Sequence, residues 1–191
     1  MKYNKKFVSI TTAIALTAVL LAGCSSNSSS TSASASTSAS TTASETGGDS
    51  EMFTDRDKEI GYSESESTKI ELSGSSATVS GEGATVSGST VTITTEGTYI
   101  LSGTLTGQIV VAADDAAKVQ IVLNGVTITN AGSAAIYVKS ADKVFITTAS
   151  GSENTVTATG ELTATDGTTK IDAAIFSKSG LTLNGAGTLT V

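Results

Sequence analysis

Two pairs of aromatic and lysine side chains are the clearest candidates for chemistry in this 191-residue chain. Tyr137 alternates with Lys139, and Phe176 alternates in the same way with Lys178. Alternation places both members of a pair on one side of a strand. An aromatic face can stack on a sugar ring, and a lysine can meet a uronate carboxylate or a hydroxyl. The spacing therefore predicts a glycan contact, unless the loop at residues 158–171 covers the aromatic rings and the lysines only face water.

Acidic side chains in turns form a second set of candidates. Oxygen-rich turns suit calcium, which takes six to eight oxygen ligands. The turns therefore predict a calcium site at one of two clusters, the first holding Asp114, Asp115 and Asp142 and the second holding Asp166 and Asp172. The alternative for the first cluster is neutralisation by the adjoining Lys118 and Lys143. Aspartates in turns also often bond to their own backbone.

Missing residue types exclude several classes of function. The chain has no His and one Cys, so it has no Ser-His-Asp or Cys-His machinery and no intrachain disulfide. It has 18 acidic and 11 basic side chains, a formal charge of −7, and Arg56 is the only arginine. Phosphate binding needs clustered Lys and Arg, so no nucleic-acid partner is expected.

The N-terminus is typical of an exported lipoprotein. Lys2, Lys5 and Lys6 precede an apolar run at residues 7–21, which is shorter than the roughly 20 residues of a spanning helix. The run ends in Leu21-Ala22-Gly23-Cys24, which resembles the lipobox of bacterial lipoproteins. The prediction is cleavage before Cys24, lipidation of Cys24 and anchoring on the extracellular face of the bacterial cell membrane. The alternatives are an ordinary cleaved signal with a chance Cys, or an uncleaved anchor.

Composition then divides the chain into segments. After the signal comes a tether of Ser, Thr and Ala, which cannot bury enough apolar surface to fold and is expected to be disordered. An acidic stretch follows, for which a solvated linker is favoured over a metal site. The predicted segments are a signal peptide at 1–23, a lipidated tether at 24–46, an acidic linker at 47–71 and a folded domain at 72–191 that stops in the middle of a repeat.

The folded domain repeats three short alternating strands, here called A, B and C, about every 22–25 residues. No such strand can bury a face alone, but stacked rounds can. The repeat predicts an all-β, right-handed parallel β-helix with three short strands per coil; a β-sandwich is the main alternative. The expected inward ladders are Leu101, Leu123, Ile146 and Leu183 in A; Leu105, Ile128, Val156 and Leu189 in B; and Ile109, Ile136 and Ile175 in C.

The repeats resemble a bacterial secreted β-helix family described as carbohydrate-binding domain-containing. The matching runs lie at residues 97–105, 119–126, 134–141 and 172–178. The resemblance implies an architecture related to that of β-helical polysaccharide lyases. It also implies an association with cellulose, with pectin-type acidic glycans and with calcium.

The favoured function is therefore that of a non-catalytic, lipid-anchored surface protein that binds polysaccharide, alone or together with calcium. The runner-up is a calcium-dependent polysaccharide lyase, whose base would be Lys139, Lys143, Lys170 or Lys178. A structural spacer or adhesin without ligand is the third possibility. The open coil edge at Val191 predicts self-association, because unpaired β edges invite pairing.

Overall fold

The structure is a computed structural model that describes residues 53–163, 167 and 169–191. Strands make up most of it, and one short helix lies near its beginning. The elements are α1 (Asp55–Lys58), β1 (Thr68–Gly74), β2 (Ser76–Ser80), β3 (Ala84–Ser87), β4 (Thr90–Ile93), β5 (Gly97–Thr106), β6 (Gln108–Ala112), β7 (Lys118–Ala131), β8 (Ile136–Ser140), β9 (Lys143–Thr148), β10 (Glu153–Thr159), β11 (Ile175–Ser177), β12 (Gly180–Gly185) and β13 (Thr188–Thr190).

The strands form two mixed sheets. The larger sheet has eight strands in the order β12-β9-β7-β5-β1-β2, with β10 paired to β7 and to β13. The smaller sheet has the order β11-β8-β6-β4-β3. Pairs between successive repeats are parallel, whereas β1–β2 and β3–β4 are antiparallel. The all-β prediction is confirmed.

Strands A and B, expected as separate elements, lie in one sheet. In two repeats they run together as the single strands β5 and β7. Gly103 and Gly125 have φ angles of +91° and +75°, and the β5–β7 register shifts between Leu101 and Gly103. Glycine tolerates this conformation, so the chain can bend without ending the strand. The described strands therefore occupy two sheets rather than three.

The C ladder pairs as predicted, and so do three of the four members of the B ladder. Isoleucines of β6, β8 and β11 lie opposite one another, and so do the first three members of the B ladder. These side chains alternate with outward residues, as a half-buried strand requires. The paired sets are Ile109, Ile136 and Ile175, and Leu105, Ile128 and Val156.

In the A ladder, Leu101 pairs with Leu123 and Ile146 pairs with Leu183 as expected, but two other predicted pairings are displaced by two residues. Ile146 lies opposite Ile121 and not opposite Leu123. Leu189 lies opposite Asn154, two places from the expected Val156. A shift of two positions keeps the same side chains facing inward, because the side-chain period of a strand is two. The hydrophobic pattern therefore predicts the buried face correctly and leaves the register open.

The buried side chains form one main core to which both sheets contribute. Ile70 and Leu101 come from the larger sheet, and Val91 and Ile109 come from the smaller one; all four are fully buried. Burial of one such side chain contributes about 1.5–3 kcal/mol relative to exposure. The two sheets are therefore held together by their apolar contacts.

The two ends of the sheets differ. At the N-terminal end, the antiparallel partners β2 and β3 cover the edges of β1 and β4. At the other end, β11, β12 and β13 each pair with one strand within the described residues. Leu183 in β12 is 55% exposed. In the described part of the chain, no helix is long and apolar enough to cross a membrane.

Candidate functional site

The predicted glycan contact is here called the strip and consists of Tyr137, Lys139, Phe176 and Lys178. The aromatic rings of the strip are mostly covered. Tyr137 in β8 lies opposite Phe176 in β11, with ring centroids 6.0 Å apart and an interplanar angle of 51°. Tyr137 is only 2% exposed and packs with Ile171 and Leu162, while Phe176 is half-buried against the same cluster. The loop residues thus lie over the Tyr137 ring. A sugar could stack on that ring only if they moved.

The lysines of the strip lie at the surface. Lys139 and Lys178 are both exposed, and the Lys178 ammonium lies 5.9 Å from the centroid of the Tyr137 ring. That distance allows a cation–π contact, which adds about 0.5–1 kcal/mol at an exposed site. The contact between the strip and a glycan stays a prediction.

The predicted calcium ligands do not form a cluster in the described residues. Asp142 pairs with Lys118 at 2.8 Å, while Asp114 and Asp115 are exposed. Asp172 is also exposed, and Asp166 lies outside the described residues. No group of three acidic side chains that could hold a metal ion occurs among residues 53–163, 167 and 169–191. Calcium binding at either cluster stays a prediction.

The acidic segment contains a buried carboxylate where a solvated linker was expected. Asp57 is 4% exposed, and its Oδ1 lies 2.5 Å from the Lys143 ammonium and accepts a hydrogen bond from the Thr182 hydroxyl. Its Oδ2 accepts from the backbone N–H and the hydroxyl of Thr54, which closes the single turn of α1. The bond with Lys143, followed by those with Thr182 and Thr54, holds the pKa of Asp57 well below its ordinary value.

Further contacts fix residues 54–62, here called the N-terminal strap, against the larger sheet. The Arg56 guanidinium lies 4.2 Å from the centroid of the buried Phe145 ring and donates to Gln120 Oε1 at 3.1 Å. Asn184 donates from Nδ2 to the backbone carbonyls of Asp57 and Glu59, both at 3.1 Å. The strap thus contacts β7, β9 and β12 together. The strand β1 begins at Thr68, inside the segment expected to be linker.

A cavity of about 190 Å³ lies on the same sheet and is bordered by residues that follow the strap. Lys69 and Glu71 alternate on β1, opposite Ile100 and Ser102 of β5. Alternation turns these four residues to one face of the sheet. We call this cavity the sheet groove; its lining is Glu64, Lys69, Glu71, Ile100, Ser102 and Asn124.

The sheet groove combines polar groups with an apolar floor. Carboxylates accept hydrogen bonds, an ammonium donates them, and the Ser102 hydroxyl and Asn124 amide do both. Ile100 is buried, and the half-buried Tyr62 packs against the cluster of Ile100, Val122 and Ala149. The groove can therefore donate and accept several hydrogen bonds beside the side chain of Ile100.

The sequence patterns contained one signal for this groove. Lys69 and Glu71 flank the buried Ile70, which is the alternation of a half-buried strand. These residues fall in the segment 47–71, which was expected to be an acidic linker, so no strand was predicted there. Asn124 gave no signal, because nothing in the local sequence shows that β1 and β7 both flank β5.

Comparison with known proteins decides the family. A family described as "Carbohydrate-binding domain-containing protein" matches residues 87–191, more than half of the chain. The chain belongs to this family. A carbohydrate-binding domain-containing protein of Acetivibrio thermocellus is 43% identical to this chain over 101 residues. These residues cover 52% of this chain and 35% of that protein.

A solved structure is also similar to this carbohydrate-binding domain. It is the gadolinium derivative of the polysaccharide lyase-like protein from C. thermocellum, with 38% sequence identity and a TM-score of 0.62. The match covers 65% of this chain and 52% of that one. The chain thus spans about half of the solved relative and about a third of the curated one.

The family match and the sheet groove overlap only in part. Ile100, Ser102 and Asn124 lie inside residues 87–191, whereas Glu64, Lys69 and Glu71 precede them. The charged wall of the groove therefore comes from sequence outside the matched region.

Proposed function

We propose that this domain binds polysaccharide without cleaving it and that the glycan lies in the sheet groove. The observation behind the proposal is the groove itself, an open cavity in a carbohydrate-binding domain that is lined by hydrogen-bonding side chains around Ile100. Surrounding one sugar unit with such groups gives orientation and specificity.

The four lysines considered as a lyase base favour binding over catalysis. A lyase base must reach the proton next to a uronate carboxylate, in unprotonated form. Lys143 instead bonds to the carboxylate of Asp57. Lys139, Lys170 and Lys178 are exposed, and none of them lines the groove. A polysaccharide lyase stays the runner-up, since the solved relative is described as lyase-like.

The proposal includes the architecture and location expected from the sequence. Parallel pairing between successive repeats supports a β-helical stack, for which a right-handed turn is the strong prior. Lipidation of Cys24 would hold the domain on the extracellular face of the membrane, with residues 24–46 as the tether; these residues lie outside the described part. Replacing Cys24 by Ser should move the protein from the membrane fraction to the medium or the soluble fraction. Calcium is not part of the proposal.

Pull-down with insoluble polysaccharides and affinity gel electrophoresis with soluble ones test the binding site. We expect a Ser102→Ala, Asn124→Ala variant to bind at least about fivefold more weakly, the loss of roughly one hydrogen bond. The matched variant Lys139→Ala, Lys178→Ala changes the predicted strip and should bind like the unchanged protein.

Each other outcome contradicts a definite part of the proposal. Loss of binding only in the lysine variant would move the site to the strip of Tyr137, Lys139, Phe176 and Lys178. Release of unsaturated oligosaccharides from polygalacturonate would establish a lyase. Failure to bind any polysaccharide would leave the structural spacer.

A further inference from the structure

We infer that the sheet groove selects glycans whose sugars carry no carboxylate, and that Glu64 and Glu71 are the residues that exclude uronate chains. This inference rests on the proposed function and narrows its ligand. The expected ligands are then polymers of neutral sugars, and not the acidic pectin-type glycans that the family resemblance implies.

The first support is the charge of the groove. Its lining has two carboxylates, Glu64 and Glu71, and one ammonium, Lys69. All three side chains are exposed, and none of them belongs to the ion pairs found within the described residues. The carboxylates are thus not neutralised by a bonded cation, and the lining has a net charge of −1. The whole chain is also acidic, with a formal charge of −7.

The second support is the state of two cations at the strap, Lys143 and Arg56. Lys143 is bonded to the buried Asp57, and Arg56 is held by Gln120, by the Phe145 ring and by Glu59 at 3.7 Å. A uronate carboxylate would have to compete with these contacts for either cation. Within the lining of the groove, Lys69 is the one basic side chain that could meet a uronate, and it lies beside two carboxylates.

The same carboxylates suit neutral sugars. A carboxylate has two acceptor oxygens, which can take hydrogen bonds from neighbouring hydroxyls of one sugar ring, and bonds to a charged acceptor are the stronger kind. The Ser102 hydroxyl and the Asn124 amide add donors to the lining. The ligand class is a neutral hexose or pentose polymer.

The size of the discrimination follows from Coulomb's law. One net negative charge about 7 Å from a ligand carboxylate weakens binding about threefold in water. A chain with a carboxylate on each sugar places more than one of them near the groove. We therefore expect uronate chains to bind about threefold to tenfold more weakly than uncharged chains of the same backbone, with a smaller difference at high salt.

The test uses pairs of polymers that share a backbone and differ in charge. Hydroxyethyl cellulose is compared with carboxymethyl cellulose, and methyl-esterified homogalacturonan with its de-esterified form, by affinity gel electrophoresis of the full chain at low salt. On whichever backbone binds, the uncharged polymer should bind tighter by the stated factor. The Glu64→Gln, Glu71→Gln variant should lose that preference. The control Glu153→Gln, Glu161→Gln removes the same charge from exposed positions outside the groove and should keep it.

The outcomes separate this inference from the proposed function. Equal or tighter binding of the charged polymer by the unchanged protein overturns the inference and leaves carbohydrate binding intact. A preference that persists in the Glu64→Gln, Glu71→Gln variant also overturns it, because another feature would then cause the selection. Absence of binding to these four polymers and to every polysaccharide of the pull-down overturns the proposed function together with the inference.

Discussion

Replacing Asn154 by Ala should destabilise the domain more than replacing an exposed asparagine by Ala does. Asn154 lies in β10, which pairs with β7 and β13, and it is 2% exposed. Its Oδ1 accepts hydrogen bonds from the backbone N–H groups of Gly125 and Val126, at 3.0 and 3.1 Å. Its Nδ2 donates to the Ser152 hydroxyl at 2.8 Å and to the Thr188 carbonyl at 3.0 Å. Alanine removes all four bonds.

The magnitude follows from those bonds. A hydrogen bond within a protein contributes about 0.5–1.5 kcal/mol net, and a buried donor left without an acceptor costs about 1–3 kcal/mol. The Val126 N–H, next to the Gly125 bend, would lose its acceptor at a buried site. We expect the free energy of unfolding to fall by about 3 kcal/mol. The melting temperature of a domain of this size should fall by about 6–12 °C.

Urea unfolding of the full chain, followed by far-ultraviolet circular dichroism, measures the change. Asn124→Ala is the matched control, because Asn124 is exposed and a surface substitution usually changes stability by less than about 0.5 kcal/mol. A loss below about 1 kcal/mol for Asn154→Ala would refute the reasoning, since it would show that the four bonds are replaced by water at no cost.

Three further predictions concern the strap, a bend and the open edge. The low pKa of Asp57 contributes stability that is complete above the unfolded-state pKa near 4 and declines as the pH falls below that value. In the Asp57→Asn variant, the urea midpoint should lose this part of its pH dependence. Gly103→Ala should cost more than about 2 kcal/mol in urea unfolding, because its Cβ would clash with a backbone carbonyl at positive φ, whereas Gly125→Ala has open space and should cost about 1 kcal/mol. Sedimentation velocity should show concentration-dependent self-association that Leu183→Lys weakens, and a monomer at every concentration would contradict edge pairing.

Sequence patterns predict the buried face of this fold well. The isoleucines at 109, 136 and 175 share one pattern of alternation and form one ladder. The displacement of Ile146 was not predictable, because positions 121 and 123 are both apolar and both face inward. Alternation contains no information that distinguishes one from the other.

The site was harder to predict than the fold. An acidic run is usually solvated, and the burial of Asp57 depends on Lys143 and Thr182, which are distant in sequence. The cover over Tyr137 agrees with the alternative in which the loop at residues 158–171 lies over the aromatic rings. The burial of Asp57 arises from contacts between distant segments, for which a single sequence gives no local signal.

The N-terminal strap also bears on the order in which the chain folds. Asp57 bonds to Thr182, which lies 125 residues later in the sequence. In a chain that folds from its N-terminus, the hairpins β1–β2 and β3–β4 can form early, and each later repeat can add to the existing edges. The strap has no complete docking surface until β12 has paired with β9. Docking of the strap would then be a late step, and its resistance to proteolysis would report that the repeats up to β12 are assembled.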